Sequence, residues 1–179
     1  MTAVELREGF VLRPLAMGDA SALADAYRRN REHLAPWEPL RPERFFTQDG
    51  QEEDIAARAA SAEAGTGCSL GVFHGERIVG RFNLAGIVRG PFQSGGLGYW
   101  VDRDVTRRGI ATSAVRAIVT AAREELGLHR LEASTLTHNH ASQSVLRKAG
   151  FEQIGFAPRY LQIAGRWQDH NLYQVILHT

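Results

Sequence analysis

Apolar residues change their spacing repeatedly along the chain, and each change marks a different kind of element. Residues 10–13 (FVLR) read as a short strand stopped by Pro14, which has no N–H to continue a ladder. Asp19 stands where it can cap a helix running to about Arg29. The stretch 35–49 contains Pro36, Pro39 and Pro42 and reads as a loop. Within 51–64, Ile55, Ala59 and Ala62 fall on one helical face. The runs 69–74 (SLGVFH) and 77–84 (RIVGRFNL) are apolar-rich with Gly75-Glu76 between them, which is a hairpin signal. A further strand follows at 97–103 (LGYWVDR).

From Gly109 the period becomes helical. Ile110, Ala114, Ile118, Ala122 and Leu126 recur with Val115 and Val119 beside them, and Gly127 ends the run. Residues 129–136 alternate as a strand. Residues 141–149 form a second helix closed by Gly150, and final strands lie near 151–156 and 171–178. The order hairpin, strand, helix, strand, helix, strands predicts an α+β (mixed α/β) fold with one βαβ crossover in its second half. No linker, repeat or low-complexity tract interrupts residues 1–179, so a single domain is expected.

Composition narrows the function classes. The hydrophobic fraction of 44% and charged fraction of 23% are those of a soluble globular chain, and the net charge of +1 gives no polyanion-binding surface. No nucleic-acid partner is expected. Cys68 is the only cysteine, which excludes an intrachain disulfide and favours a reduced, cytoplasmic setting. No stretch resembles a signal peptide or a membrane helix.

Candidate chemistry concentrates where the strand at 97–103 leads through residues 105–108 into the helix at Gly109. First-turn amides of a helix have no internal partner, and the helix dipole adds positive character there. A diphosphate could dock on them, helped by Gly109 (no Cβ), the small Ala111, the charges of Arg107 and Arg108, and the Thr112 hydroxyl. The plainer interpretation is a helix start that merely contains a glycine. Neither a Walker loop nor a G-x-G-x-x-G fingerprint is present. In the second helix Asn139 is either an N-cap or a polar group aimed at a cofactor arm, and Ser142 shares a face with Leu146. His138 and His140 lack a third ligand, so no metal is expected.

Taken together, Gly98-Tyr99-Trp100-Val101, RRGIAT at 107–112, and N-H-A-S leading to K-A-G-F across 139–151 resemble the acyl-CoA-binding core of GNAT acetyltransferases. PWEP at 36–39, VRGPF at 88–92, HRLEA at 129–133 and GRWQDH at 165–170 resemble the ribosomal-protein alanine N-acetyltransferase branch. The resemblance implies a central, mostly antiparallel, strongly twisted sheet of six to seven strands flanked by helices. Two strands, 97–103 and 129–136, would splay at the acetyl-CoA site. The cofactor-binding residues it implies are Trp100 and Val101 on the strand, Arg107, Arg108, Gly109, Ile110, Ala111 and Thr112 at the turn, and Asn139 and Ser142 beyond. Ser142 matches a serine proposed in this branch to protonate the departing thiolate, with solvent as the alternative acid. The position where many GNAT enzymes carry a tyrosine acid is Leu146 here, and Thr106 replaces the usual Gln or Arg.

The activity so implied is acetyl transfer from acetyl-CoA to a primary amine, above all the N-terminal amine of a ribosomal protein. An α-amine with pKa near 8 is roughly one-tenth neutral at pH 7 and demands little of a base. Glu38 is the candidate base and Trp37 a candidate wall of the acceptor site. A small-amine acetyltransferase and a CoA-binding protein without catalysis are the competing functions. The chain is expected to act as a monomer or homodimer.

Overall fold

Residues 1–178 are described by the structure, a computed structural model. Eight strands form one sheet, β1 (Val4–Glu5), β2 (Phe10–Pro14), β3 (Cys68–His74), β4 (Arg77–Val88), β5 (Ser94–Val101), β6 (Arg130–Leu136), β7 (Glu152–Ile163) and β8 (Arg166–Ile176). Their order is β1-β2-β3-β4-β5-β6-β8-β7, and among the described residues β5 with β6 is the one parallel pair. Among the described residues there are also five α-helices, α1 (Ala20–Arg29), α2 (Arg31–Leu34), α3 (Gln48–Glu63), α4 (Ile110–Glu124) and α5 (His140–Lys148), and four short 3-10 turns. The β5–α4–β6 unit is the expected crossover.

The strand count exceeds the expected six to seven because β1 pairs two residues, Val4 and Glu5, with Leu12 and Val11. A strand that short carries no readable period. β7 and β8 also run longer than 151–156 and 171–178 predict. Their register shifts between Ala157 and Leu161, which accommodates Pro158 and Arg159 (φ 49) in an edge strand whose side chains are mostly exposed.

Alternation along the strands builds two cores. On one face Phe82, Leu84, Leu97 and Leu131 pack under Ile110, Ala114, Val115 and Ile118 of α4. On the other, Phe73, Ile78 and Trp100 pack under Leu23, Ala26 and Tyr27 of α1 and Ile55 of α3. Two local expectations fail. Asp19 precedes α1, but its carboxylate accepts from the Ala16 amide and the Arg13 guanidinium instead of capping the helix. In α3, Ile55 is buried while Ala59 and Ala62 are exposed, because only the first half of that helix, with Gly50 and Gln51, meets the sheet. Among the described residues no helix is long and apolar enough to cross a membrane.

Candidate active site

Strands β5 and β6 pair only at Ser94–Arg130, Gly95–Leu131 and Gly96–Glu132, then part. The register fixes what the parted edge of β5 offers. Gly80 opposes Val101, and the Asp102 amide donates to the Val79 carbonyl. In an antiparallel ladder this makes Gly98 and Trp100 the residues bonded to β4. The N–H groups of Leu97, Tyr99 and Val101 therefore turn toward the gap.

A cavity of about 270 Å³ occupies that gap and reaches both faces of the sheet. Glu38, Arg81 and Trp100 line it from the α1 side, and Tyr99, Asn139 and Ser142 line it from the α5 side. Four predicted residues, Trp37, Glu38, Asn139 and Ser142, thus share one space although about a hundred positions separate the two pairs. Trp100 lines the cavity too, but its indole is buried and donates to the Tyr27 hydroxyl (3.0 Å). Its side chain packs under α1, on the face of the sheet opposite Ser142. Period-two alternation explains this: Tyr99 and Val101 face one way and Trp100 the other.

Asn139 takes the N-cap role that its position at the start of α5 allows. Its Oδ1 accepts the Ser142 amide (3.1 Å) as the α5 N-cap. Its side-chain NH₂ keeps its donors. Ser142 Oγ lies 2.9 Å from the Tyr99 hydroxyl. Burial raises the Tyr99 pKa to about 12 against the opposing Ser142 hydrogen bond. Leu146 is fully buried in the core below.

Glu38 sits in a loop whose carbonyl accepts the Ala164 amide (2.9 Å), which pins it to the β7–β8 turn. Burial raises its pKa, and the nearby charges of Arg41 and Arg81 oppose the rise. Trp37 lies against His138 at 5.5 Å between ring centroids. Asp54 of α3 reaches the cavity and pairs with buried Arg81.

The α4 N-terminus lies outside this cavity and is built from backbone. Arg107 (φ 63) and Gly109 (φ 77) both adopt left-handed conformations, a turn geometry that gathers successive amides to one side. The amides of Asp104, Val105 and Thr106 are bonded to Asp102 and Arg103. Among the described residues, those of Arg107, Arg108, Gly109, Ile110, Ala111 and Thr112 have no protein acceptor. The Ile110 side chain is core, so only its amide is on offer.

Several neighbours of this turn escaped the sequence. Arg108, expected to add free charge, is paired with Glu8. Arg7 also stands at the turn, 3.8 Å from Glu8, and a Cβ on Gly109 would lie 2.9 Å from the Arg7 Nη1. Nothing local marks Arg7, because it arrives from the far end of the chain. Asp102, whose side chain is fully buried, braces the turn with Oδ1 on the Asp104 amide (3.0 Å) and Oδ2 on Arg29 (2.8 Å) and Arg77 (3.1 Å). Burial would raise its pKa, but these donors together with Asn30 outweigh it and hold the carboxyl at about 2. His170 is buried at the cavity with Nδ1 2.9 Å from the Gln168 carbonyl. Cys68 is packed, with Sγ 3.5 Å from the Met1 sulfur and its thiol pKa raised by burial.

Residues 10–152 match the family model described as acetyltransferase (GNAT) domain. The chain is 33% identical over 164 residues to the [ribosomal protein uS5]-alanine N-acetyltransferase of Escherichia coli (strain K12), covering 90% of this chain and 84% of that protein. The crystal structure of ribosomal-protein-S5-alanine acetyltransferase from Vibrio fischeri superposes with TM-score 0.94 at 32% identity, covering 98% of this chain and 97% of the other. RimJ of Mycobacterium smegmatis in complex with CoA-disulfide superposes with TM-score 0.89 at 29% identity, covering 93% and 81%.

Proposed function

The chain belongs to the acetyltransferase (GNAT) domain family, and from that footing we propose that it transfers acetyl from acetyl-CoA to the N-terminal α-amine of a protein, with a ribosomal protein as the leading acceptor. It is an N-acetyltransferase. One observation carries the rest: the parted strands join Glu38 on one face of the sheet to Ser142 on the other through a gap that faces the Val101 amide.

In this reaction the acyl donor enters on the α4–α5 side. The free amides from Arg107 to Thr112 hold its diphosphate, with Arg7 and Arg107 supplying charge. The pantetheine arm runs along β5, where the Asn139 NH₂ donates to it. The neutral amine arrives on the α1 side between Trp37 and Glu38 and attacks the thioester carbonyl. Val101 N–H receives the oxyanion. Glu38, directly or through water, takes the amine proton; its raised pKa makes it a better base than an exposed carboxylate. The C–S bond then breaks, sulfur keeps the electron pair, and Ser142 Oγ–H protonates it.

The acceptor is tested by incubating the enzyme and acetyl-CoA with peptides bearing free N-termini, N-blocked peptides containing lysine, polyamines and aminoglycosides. Free thiol and acetyl incorporation should appear with the free N-termini, alanine-initiated ones foremost. Faster turnover of the small amines would replace the protein acceptor. Thiol release with no amine at all would leave a CoA-binding protein. Binding itself is read by melting, since acetyl-CoA at a hundredfold over its Kd should stabilise the fold by about 2.7 kcal/mol.

Asn139→Asp separates the two uses of that residue. Aspartate caps as well as asparagine, so stability should stay within about 0.5 kcal/mol. The lost NH₂ donor should weaken acetyl-CoA binding roughly 3–10-fold, the worth of one net hydrogen bond. Unchanged affinity would confine Asn139 to capping.

A further inference from the structure

The resemblance expects a tyrosine acid on the helix α5, and Leu146 stands at that position, fully buried. A phenol nevertheless reaches the neighbourhood from a different element. Tyr99 projects from β5 on the α5 side, and its hydroxyl lies 2.9 Å from Ser142 Oγ and 3.3 Å from the Ser142 carbonyl. Its ring is stacked on Phe82, with centroids 5.3 Å apart and planes 9° from parallel, so the hydroxyl has little freedom to move away. The Asn139 cap on the Ser142 amide fixes the other half of the pair. Both hydroxyls line the cavity that also holds Glu38.

We propose that Tyr99 is the positioning residue for Ser142, directing the serine hydroxyl at the leaving sulfur and restoring its proton through the 2.9 Å contact. The inference rests on the reading of Ser142 as the group that protonates the thiolate. Of the two acceptors within reach of the phenol proton, Oγ is the nearer, and a phenol donating there leaves the serine's own proton free for sulfur. As the C–S bond breaks, sulfur takes the bonding pair and the Ser142 proton, and Ser142 takes the Tyr99 proton. The phenolate is reprotonated from solvent, which receives the equivalent proton released from the amine through Glu38. The sum is amine plus thioester giving amide plus thiol. Because burial keeps the phenol protonated through the working pH range, the donor is present in every turnover. The arrangement delivers from a strand the function that a helix tyrosine provides elsewhere.

The test compares wild type, Tyr99→Phe, Ser142→Ala and the double variant, measuring kcat, the acetyl-CoA KM, the Kd for CoA and the melting temperature. Phenylalanine keeps the stack on Phe82, so folding and CoA affinity should hold at wild-type values. Ser142→Ala should lower kcat about a hundredfold. Tyr99→Phe should lower kcat about tenfold with KM unchanged, and should cause no further loss in the Ser142→Ala background. A wild-type kcat for Tyr99→Phe beside a slow Ser142→Ala overturns this proposal and leaves the reading of Ser142 standing. A wild-type kcat for Ser142→Ala removes that reading and the proposal with it. A Tyr99→Phe loss that persists undiminished on the alanine background, or that appears only as weaker CoA binding or a lower melting temperature, also overturns it.

Discussion

Gly109→Val should weaken acetyl-CoA binding by about a hundredfold, with a smaller loss of stability. Two independent obstacles meet at this residue. Its φ of 77 is a left-handed conformation that a β-branched side chain does not adopt without strain, costing about 1–2 kcal/mol. Its new side chain would also point at the Arg7 guanidinium, only 2.9 Å from a Cβ. The strain is relieved by turning the peptides that flank Gly109, which disperses the amides of the α4 first turn. Losing two charge-assisted hydrogen bonds to a diphosphate at about 1.5 kcal/mol each gives the hundredfold figure. At 2–4 °C per kcal/mol, the melting temperature of the free protein should fall roughly 2–8 °C. Titration calorimetry with CoA and a melt of the same samples check both numbers. Repeating the melt in an Arg7→Ala background, read against Arg7→Ala alone, separates the obstacles: a smaller stability loss there assigns it to the guanidinium, and an equal loss assigns it to φ. Wild-type affinity for Gly109→Val would remove the α4 N-terminus from the cofactor site.

That turn was legible in the sequence because its signal is local. A strand, a short polar connection, a glycine and then a helical period lie within fifteen positions, and amide availability follows from helix geometry alone. The hairpin at Gly75-Glu76 and the βαβ crossover were legible for the same reason. What the sequence hid depends on distance or on parity. Arg7 beside Gly109, and the ion pairs of Asp102 with Arg29 and Arg77 and of Asp54 with Arg81, join elements far apart in the chain, and no window of periodicity contains them. That Trp100 packs under α1 while Tyr99 meets Ser142 is a matter of parity: adjacent strand residues face opposite ways, and only the helices packed on each side reveal which neighbours each takes. The second half of α3 misled because alanines at helical spacing look the same whether or not a sheet lies beneath them.

Arg81→Met should cost about 3 kcal/mol and move the acidic limb of the pH–rate profile to higher pH. The Arg81 side chain is 2% exposed and is held by Asp54, Tyr27 at 3.4 Å and Ser69 at 3.1 Å. Burial pulls its pKa down, yet Tyr27 and Asp54 keep it above the ordinary arginine value. Removing the cation leaves the Asp54 carboxylate at the edge of the cavity with only the looser Arg58 contact at 3.8 Å, and breaking a buried pair typically costs about 3–5 kcal/mol. The lower end applies because Asp54 is 23% exposed and can recover some water. At 2–4 °C per kcal/mol the melting temperature should fall roughly 6–12 °C. Replacing both partners, as in Arg81→Met with Asp54→Leu, should recover much of the loss, because the unpaired charge rather than the missing contact is the penalty. The catalytic consequence has a definite sign. Burial raises the Glu38 pKa while Arg41 and Arg81 pull it down, so losing Arg81 leaves the rise less opposed. Glu38 is a base only when ionised, so kcat/KM should reach its plateau at a higher pH in Arg81→Met than in wild type. A limb that stays in place would show that Glu38 is not the group whose ionisation controls the rate, and a melting temperature within 2 °C of wild type would show that the Arg81–Asp54 pair is solvated and not part of the core.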